Sequence, residues 1–392
     1  MAKNKISSSI TDHSRRNFIK TTAMGMGAFM IGISRPLSSF AAGTNAPWSA
    51  DPIKAFSIDF NWGEGGPNGF AKPGLWADAN PEEHVNWYAD LGCNVIQSFA
   101  VSCNGYAWYK GGIVPEQPGL KYDFLTEQVK LAHKKNIKIF GYFCAGANTK
   151  WGLDHPELSY GTPSDPHIPY TSTYIDYLCA SIEDAIKVTG IDGIFIDWLW
   201  NPGSTMEPYP PLKWIDCEQV MYKELLQQPF PGKEKITPAI ELQFRRKAID
   251  RCWKKIKATA NKANPACIIW LTSCQLSSRD IAGSDMLKQV DWILNEAGDI
   301  KTTASIHNML GKHTRMVTCL AKWNGQDPLK IVPAALKQQV GLYGFAKPVI
   351  GAMMHPVDYY LTSPIDDLKD DEKNIAVLAR SYKHLPFSYV KK

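Results

Sequence analysis

The chain has 392 residues, 44% of them apolar, with 43 Lys and Arg against 38 Asp and Glu for a formal net charge of +5. That length allows a large buried core. Lys3, Lys5, Arg15, Arg16, Lys20 and Arg35 all precede position 42. Without them the chain is nearly neutral, which leaves no electrostatic basis for binding nucleic acid or an anionic membrane.

The first segment reads Ser14-Arg15-Arg16-Asn17-Phe18-Ile19-Lys20, then an apolar stretch rich in Gly and Met over 21–33, then Ser39-Phe40-Ala41. A basic start, a short apolar run and a small-x-small end are the parts of a signal peptide. The apolar run is short of the ~20 residues that cross a bilayer. The paired arginines followed by an apolar residue resemble the pattern S-R-R-x-F-L-K, which implies the twin-arginine export machinery as a partner. The expected product is a protein of residues 42–392, periplasmic or secreted, with no membrane attachment after cleavage. Nine cysteines are scattered without a C-x-x-C pair, and Cys144, Cys267 and Cys319 fall inside apolar runs. There a free thiol behaves as a small hydrophobe, so most are expected buried and reduced.

Beyond the leader, short apolar runs alternate with stretches of helical period. The runs are 55–62, 94–101, 138–145, 193–200, 267–273, 291–296, 315–323 and 348–354. The helical segments are 81–91, 124–135, 171–188, 240–263, 284–290, 302–311, 334–342 and 371–384. Eight strands apolar on both faces, each followed by a helix, predict a single α/β domain, a (β/α)8 barrel. An open doubly wound sheet would need a glycine fingerprint after its first strand, and Gly63-Glu64-Gly65-Gly66-Pro67 leads into a loop instead. The segment 202–238, rich in Pro and aromatics, is too long for an ordinary connection and is expected over the barrel mouth.

Barrel chemistry sits where strands end. The fourth strand ends on Asp197 and the sixth on Glu296; Glu64 and Asp59 stand in reserve near the first. Asp192 precedes its strand and reads as a turn or capping residue. Two carboxylates at strand ends suit glycoside hydrolysis, in which one acts as nucleophile or base and the other as acid. Trp62, Tyr106, Trp108, Tyr109, Trp151, Trp198, Trp200 and Trp323 gather at the same ends. Sugar rings present apolar faces to such side chains, and about half of the eight are expected to line a site. Tyr142 and His355 also fall near strand ends, and His84, His133 and His155 on helices or in loops. H-E-x-x-H, paired Cys/His ligands, calcium loops, G-x-S-x-G and phosphate loops are absent from the sequence, so neither a metal nor another cofactor is expected.

These residues resemble the α-L-fucosidase-like glycoside hydrolases of family 29. The family's first strand, with F-x-H-W-G, is similar to Phe56-Ser57-Ile58-Asp59-Phe60-Asn61-Trp62-Gly63, its H-H-D-G-F-x-x-W to Ser102-Cys103-Asn104-Gly105-Tyr106-Ala107-Trp108, and its tyrosine-rich third lip to Ile139-Phe140-Gly141-Tyr142-Phe143. Its D-x-x-W-F-D-G is similar to Asp192-Gly193-Ile194-Phe195-Ile196-Asp197. The resemblance runs from Phe56 to Trp200 and implies that Asp197 is the nucleophile; Glu296 as acid/base rests on strand position alone. It also implies sugar contacts from Asn61, Trp62, Asn104, Tyr106 and Trp108. The family's histidines are replaced by Asn61, Ser102 and Cys103, which puts fucose in doubt. The expected substrate partner is an oligosaccharide or glycoside. Two rivals stay open: a carbohydrate-binding barrel without catalysis, and a lyase or isomerase using Lys322.

Overall fold

The computed structural model describes residues 52–63, 66–199, 211–273 and 278–384. The leader, Glu64 and Trp200 therefore lie outside the described residues. The first barrel strand, β1 (Lys54–Ile58), is followed by a small hairpin, β2 (Trp62–Gly63) and β3 (Gly66–Phe70), and by α1 (Pro81–Leu91). Then come β4 (Val95–Val101), α2 (Phe124–Lys134), β5 (Lys138–Cys144), α3 (Thr149–Asp154), α4 (Ser172–Thr189) and β6 (Gly193–Asp197). The second half runs α5 (Asp216–Leu226), α6 (Pro238–Ala263), β7 (Ile268–Ser273), α7 (Arg279–Ala282), α8 (Met286–Gln289), β8 (Trp292–Asn295) and α9 (Ile300–Ile306). It closes with β9 (Arg315–Leu320), α10 (Pro328–Lys337), β10 (Gly341–Ala346), α11 (Val357–Thr362) and α12 (Asp370–His384). Strand β1 pairs in parallel with both β4 and β10, so eight parallel strands close into one barrel wrapped by helices.

Local chemistry sets the helix ends. The Asn80 side chain accepts from the backbone of Glu82 and Glu83 just before Pro81, and Thr237 caps α6 before Pro238. Gly92 and Gly190 end α1 and α4 in the left-handed region. No helix among the described residues is long and apolar enough to cross a membrane.

The barrel is filled by aromatic rings, and the period of two along each strand decides which side chains meet there. Trp292 at the lower end lies 4.8 Å from Phe140 and 5.4 Å from Trp270, whose ring is 4.8 Å from Phe195 and 5.4 Å from Tyr343. Two residues further along the same strands stand Asp197, Leu294, Phe345 and Tyr142. The inward parity of the core thus carries acidic and aromatic groups up to the mouth.

Seven of the expected strands coincide with barrel strands; the eighth does not. Strand β10 is Gly341–Ala346, and 348–354 form a turn around Gly351, whose φ is +57°. The expected helix 334–342 correspondingly shifts back to Pro328–Lys337. The physical reason is Gly344. A Cβ there would stand 2.4 Å from Leu378 Cδ1 and 2.9 Å from Phe56 Cδ2, so the close seat of α12 on β10 requires glycine and dilutes the strand's apolar signal.

Of the segment 202–238, residues 202–210 lie outside the described residues. The remainder is fastened to the barrel's side, where Trp214 packs 5.0 Å from Phe244 and the Tyr160 hydroxyl donates to buried Glu218. Burial pushes Glu218 up to about 7. The eight described cysteines are free, and all but Cys217 are buried.

Asp192 ties the barrel's lower rim. Its carboxylate accepts from Lys138 Nζ and His133 Nε2, each at 2.8 Å, and from the Ile139 backbone at 2.9 Å. Asp192→Ala is expected to lower the unfolding free energy by about 1–3 kcal/mol, because it leaves the Ile139 N–H without its acceptor and removes the contacts to Lys138 and His133. A urea denaturation midpoint unchanged from the parent would contradict this role.

Candidate active site

A pocket of about 650 Å³ opens at the C-terminal ends of the strands, and Asp197, Glu296 and Asp59 all line it. Asp197 is the last residue of β6. Its Oδ2 accepts from the Tyr142 hydroxyl at 2.8 Å and its Oδ1 from the backbone N–H of Trp198 at 2.8 Å. The Tyr142 hydroxyl also lies 3.2 Å from Cys103 Sγ. Burial, then the nearby charge of Glu296, push the Asp197 carboxyl well above the usual range, and the Tyr142 and Trp198 donors pull it back. Glu296 follows β8 and accepts from Thr272 Oγ1 at 2.5 Å.

Trp198 is held in the left-handed region at φ +55°, a strained conformation for a bulky residue. Its carbonyl accepts from the Tyr170 hydroxyl at 2.7 Å. Space for this turn comes from Gly146, where a Cβ would stand 2.6 Å from the Trp198 oxygen. The turn seats the Trp198 ring 5.6 Å from Phe70, which the β2–β3 hairpin brings to the pocket wall.

The opposite wall is Trp62, Trp323 and Phe345, with ring centroids 4.1 to 5.8 Å apart. On the floor, Asp59 Oδ1 accepts from the Asn61 backbone at 2.8 Å, and burial pushes its carboxyl up to about 7. Asn61 Oδ1 accepts from the Cys103 backbone at 2.9 Å.

The pocket brings together Asp197, Glu296, Asn61, Trp62, Tyr142, Trp198 and Trp323. Other sequence candidates lie elsewhere. Trp108 is a core residue, 4.5 Å from Phe60 and donating to Ser102 Oγ at 2.5 Å. Trp151 packs 4.8 Å from Tyr174, and the Tyr109 hydroxyl donates to Asp184 at 2.8 Å. Asn104 is buried among Gln117, Ala71 and the Tyr106 backbone, where it shapes the loop after β4. Tyr106 is half-buried on that same loop.

His355 was placed beside a strand that is in fact a turn. Its ring stands 4.5 Å from Tyr359 and 3.8 Å from Glu372, outside the pocket lining. Lys322 stands outside the pocket lining, with its ammonium 3.1 Å from Asp370. His84 is buried against Phe60 and Ala352.

Missed from sequence were Gln97, Phe70, Phe99, Phe195, Tyr343 and Phe345. All but Phe70 obey the inward parity counted from the buried core. Among the described residues, no three His, Cys, Asp or Glu side chains converge as metal ligands.

Fold and pocket together define an α/β barrel with an acidic, aromatic-walled cavity at its catalytic face. The family model described as hypothetical glycosyl hydrolase 6 matches residues 80–198, the stretch from α1 to the turn after Asp197, and supports a glycosidase. No curated protein matches the sequence. Among solved structures, α-L-fucosidase isoenzyme 2 from Paenibacillus thiaminolyticus superposes with a TM-score of 0.58 at 13% identity, covering 85% of this chain and 49% of its own. The chain thus spans about half the length of that relative. A beta-galactosidase from the psychrophilic Marinomonas ef1 gives 0.55 at 11% identity, over 84% of this chain and 60% of its own. The PgaB (BpsB) glycoside hydrolase domain from Bordetella bronchiseptica gives 0.52 at 11% identity, over 76% and 93%. At these identities the likeness is one of fold.

Gly146→Ala tests the strained turn. The expected outcome is a loss of about 1–3 kcal/mol from overpacking, together with an altered near-ultraviolet circular dichroism band from Trp198. A parent-like spectrum and midpoint would show that the turn does not need the gap.

Proposed function

We propose that the protein is an exported glycoside hydrolase of the retaining type, in which Asp197 attacks the anomeric carbon and Glu296 protonates the leaving oxygen and then activates water. The observation that carries this reading is the meeting of the two carboxylates in one aromatic-walled pocket, near enough that the charge of Glu296 raises Asp197. Two neighbouring carboxylates resist being ionised together, the electrostatic condition for one acid and one nucleophile at the same pH. The division of roles rests on the resemblance, and the hydrogen bonds that Asp197 accepts are compatible with it. Asp197 accepts from the Tyr142 hydroxyl and the Trp198 N–H, both of which favour the ionised form.

The family match over residues 80–198 supports the reaction class. The resemblance to the fucosidase-like enzymes supports the role of Asp197, while the three positions of the missing histidines argue against fucose. Asn61 Oδ1, Ser102 Oγ and Cys103 Sγ are engaged with wall residues of the protein itself. Export by the twin-arginine route rests on Ser14–Lys20 and the apolar stretch after it.

Hydrolysis of a panel of aryl α- and β-glycosides checks the assignment. Asp197→Ala is expected to lower kcat/KM by at least about 10³-fold, and Glu296→Gln by about 10² to 10⁴-fold. Wild-type turnover that survives Asp197→Ala would remove the nucleophile from its role. Tyr142→Phe takes away a donor that favours ionised Asp197, so its carboxyl titrates higher still. The acid limb of the kcat/KM profile is then expected to move to higher pH; a limb that stays or moves down would contradict the contact.

A further inference from the structure

Retaining hydrolysis uses two carboxylates, and this pocket holds three. Asp59 is 9% exposed, accepts at Oδ1 from the Asn61 backbone N–H, and has no partner for Oδ2 among the described residues. An unpaired acid beside a nucleophile works against catalysis unless a ligand balances it, because its charge opposes ionisation of Asp197.

The described lining of the pocket supplies no such balance. Among the described residues no Lys, Arg or His lines the pocket; Lys322 is paired with Asp370, and His355 faces Glu372. The acids do not converge as ligands of a metal ion. Asp59, Asp197 and Glu296 instead line one open pocket, beside the Trp62, Trp323 and Phe345 faces. Carboxylates with aromatic faces are the chemistry that binds an organic cation.

We propose that the pocket beside Asp197 takes a sugar bearing a free, protonated amino group, a hexosamine rather than its N-acetyl, neutral or acidic counterpart. This rests on the glycosidase reading and names its substrate class. Asp59 is the counter-charge to the ammonium, and the aromatic wall covers the ring. Burial pushes the Asp59 carboxyl up to about 7, and a cation bound beside it favours its ionised form.

The test has two arms. Isothermal titration of the full-length protein with glucosamine, galactosamine, their N-acetyl forms, glucose, galactose and glucuronate is expected to show the amino sugars binding on the order of 10- to 100-fold tighter. Asp59→Asn, checked for folding by its thermal melt, is expected to erase that preference, and Asp59→Glu to restore part of it. Equal affinity for neutral or N-acetyl sugars, an intact preference in Asp59→Asn, or no binding at all overturns the proposal.

The second arm measures turnover of aryl 2-amino-2-deoxyglycosides beside their N-acetyl and 2-hydroxy analogues. Turnover confined to the analogues sinks the amino-sugar site and leaves the hydrolase. A binding preference without any turnover leaves the site and sinks the hydrolase.

Discussion

The pocket depends on one buried carboxylate. Asp197 sits where an apolar strand ends, and burial pushes its carboxyl well above the usual range. Two donors oppose that tendency. One is the hydroxyl of Tyr142, from the neighbouring strand and in the same inward layer. The other is the backbone N–H of Trp198, the residue at which the chain turns through the left-handed region. The turn in turn needs the space left by Gly146 and the hydrogen bond from Tyr170. Strain in the chain at this point is thus exchanged for a charged-group acceptor held in a fixed direction.

The closed barrel makes the arrangement possible. Parallel strands with staggered register put alternate side chains on the same interior column, and here those columns are filled below by Phe140, Trp270, Trp292 and Phe195. Rings of that size leave little room for the interior to adjust, so residues one layer higher inherit fixed positions. Asp197 and Tyr142 each stand two residues above such a ring, and Glu296 four above Trp292. A carboxylate on the outward parity would instead face the helices.

Much of this was legible in the sequence. The alternation of apolar runs and helical stretches led to eight strands, and the polar residue ending the fourth and sixth runs led to Asp197 and Glu296. The eighth strand was misplaced because one of its glycines, Gly344, serves the packing of α12, a contact 34 residues away that no local pattern reports. That error carried His355 to a lip it does not reach. Proximity to a strand end also overstated Trp108, Trp151 and Asn104. A tryptophan suits a barrel wall and a core equally well, and only strand parity separates the two. Applied from the buried rings outward, that rule would have selected Gln97, Phe99, Tyr343 and Phe345.

Asn61, Ser102 and Cys103 gain meaning when seen together with the three acids. Imidazoles at those positions would bring groups able to carry positive charge into or beside the pocket. In their place stand an amide, a hydroxyl and a thiol whose hydrogen-bonding atoms bind the protein's own wall: a backbone N–H, the Trp108 indole and the Tyr142 hydroxyl. The wall keeps its connections while its charge disappears. Asp59, Asp197 and Glu296 then face one another without an internal cation, and burial magnifies the consequence because a low-dielectric surface screens charge poorly. A pocket built this way has a sign as well as a shape, and whatever it binds must answer both.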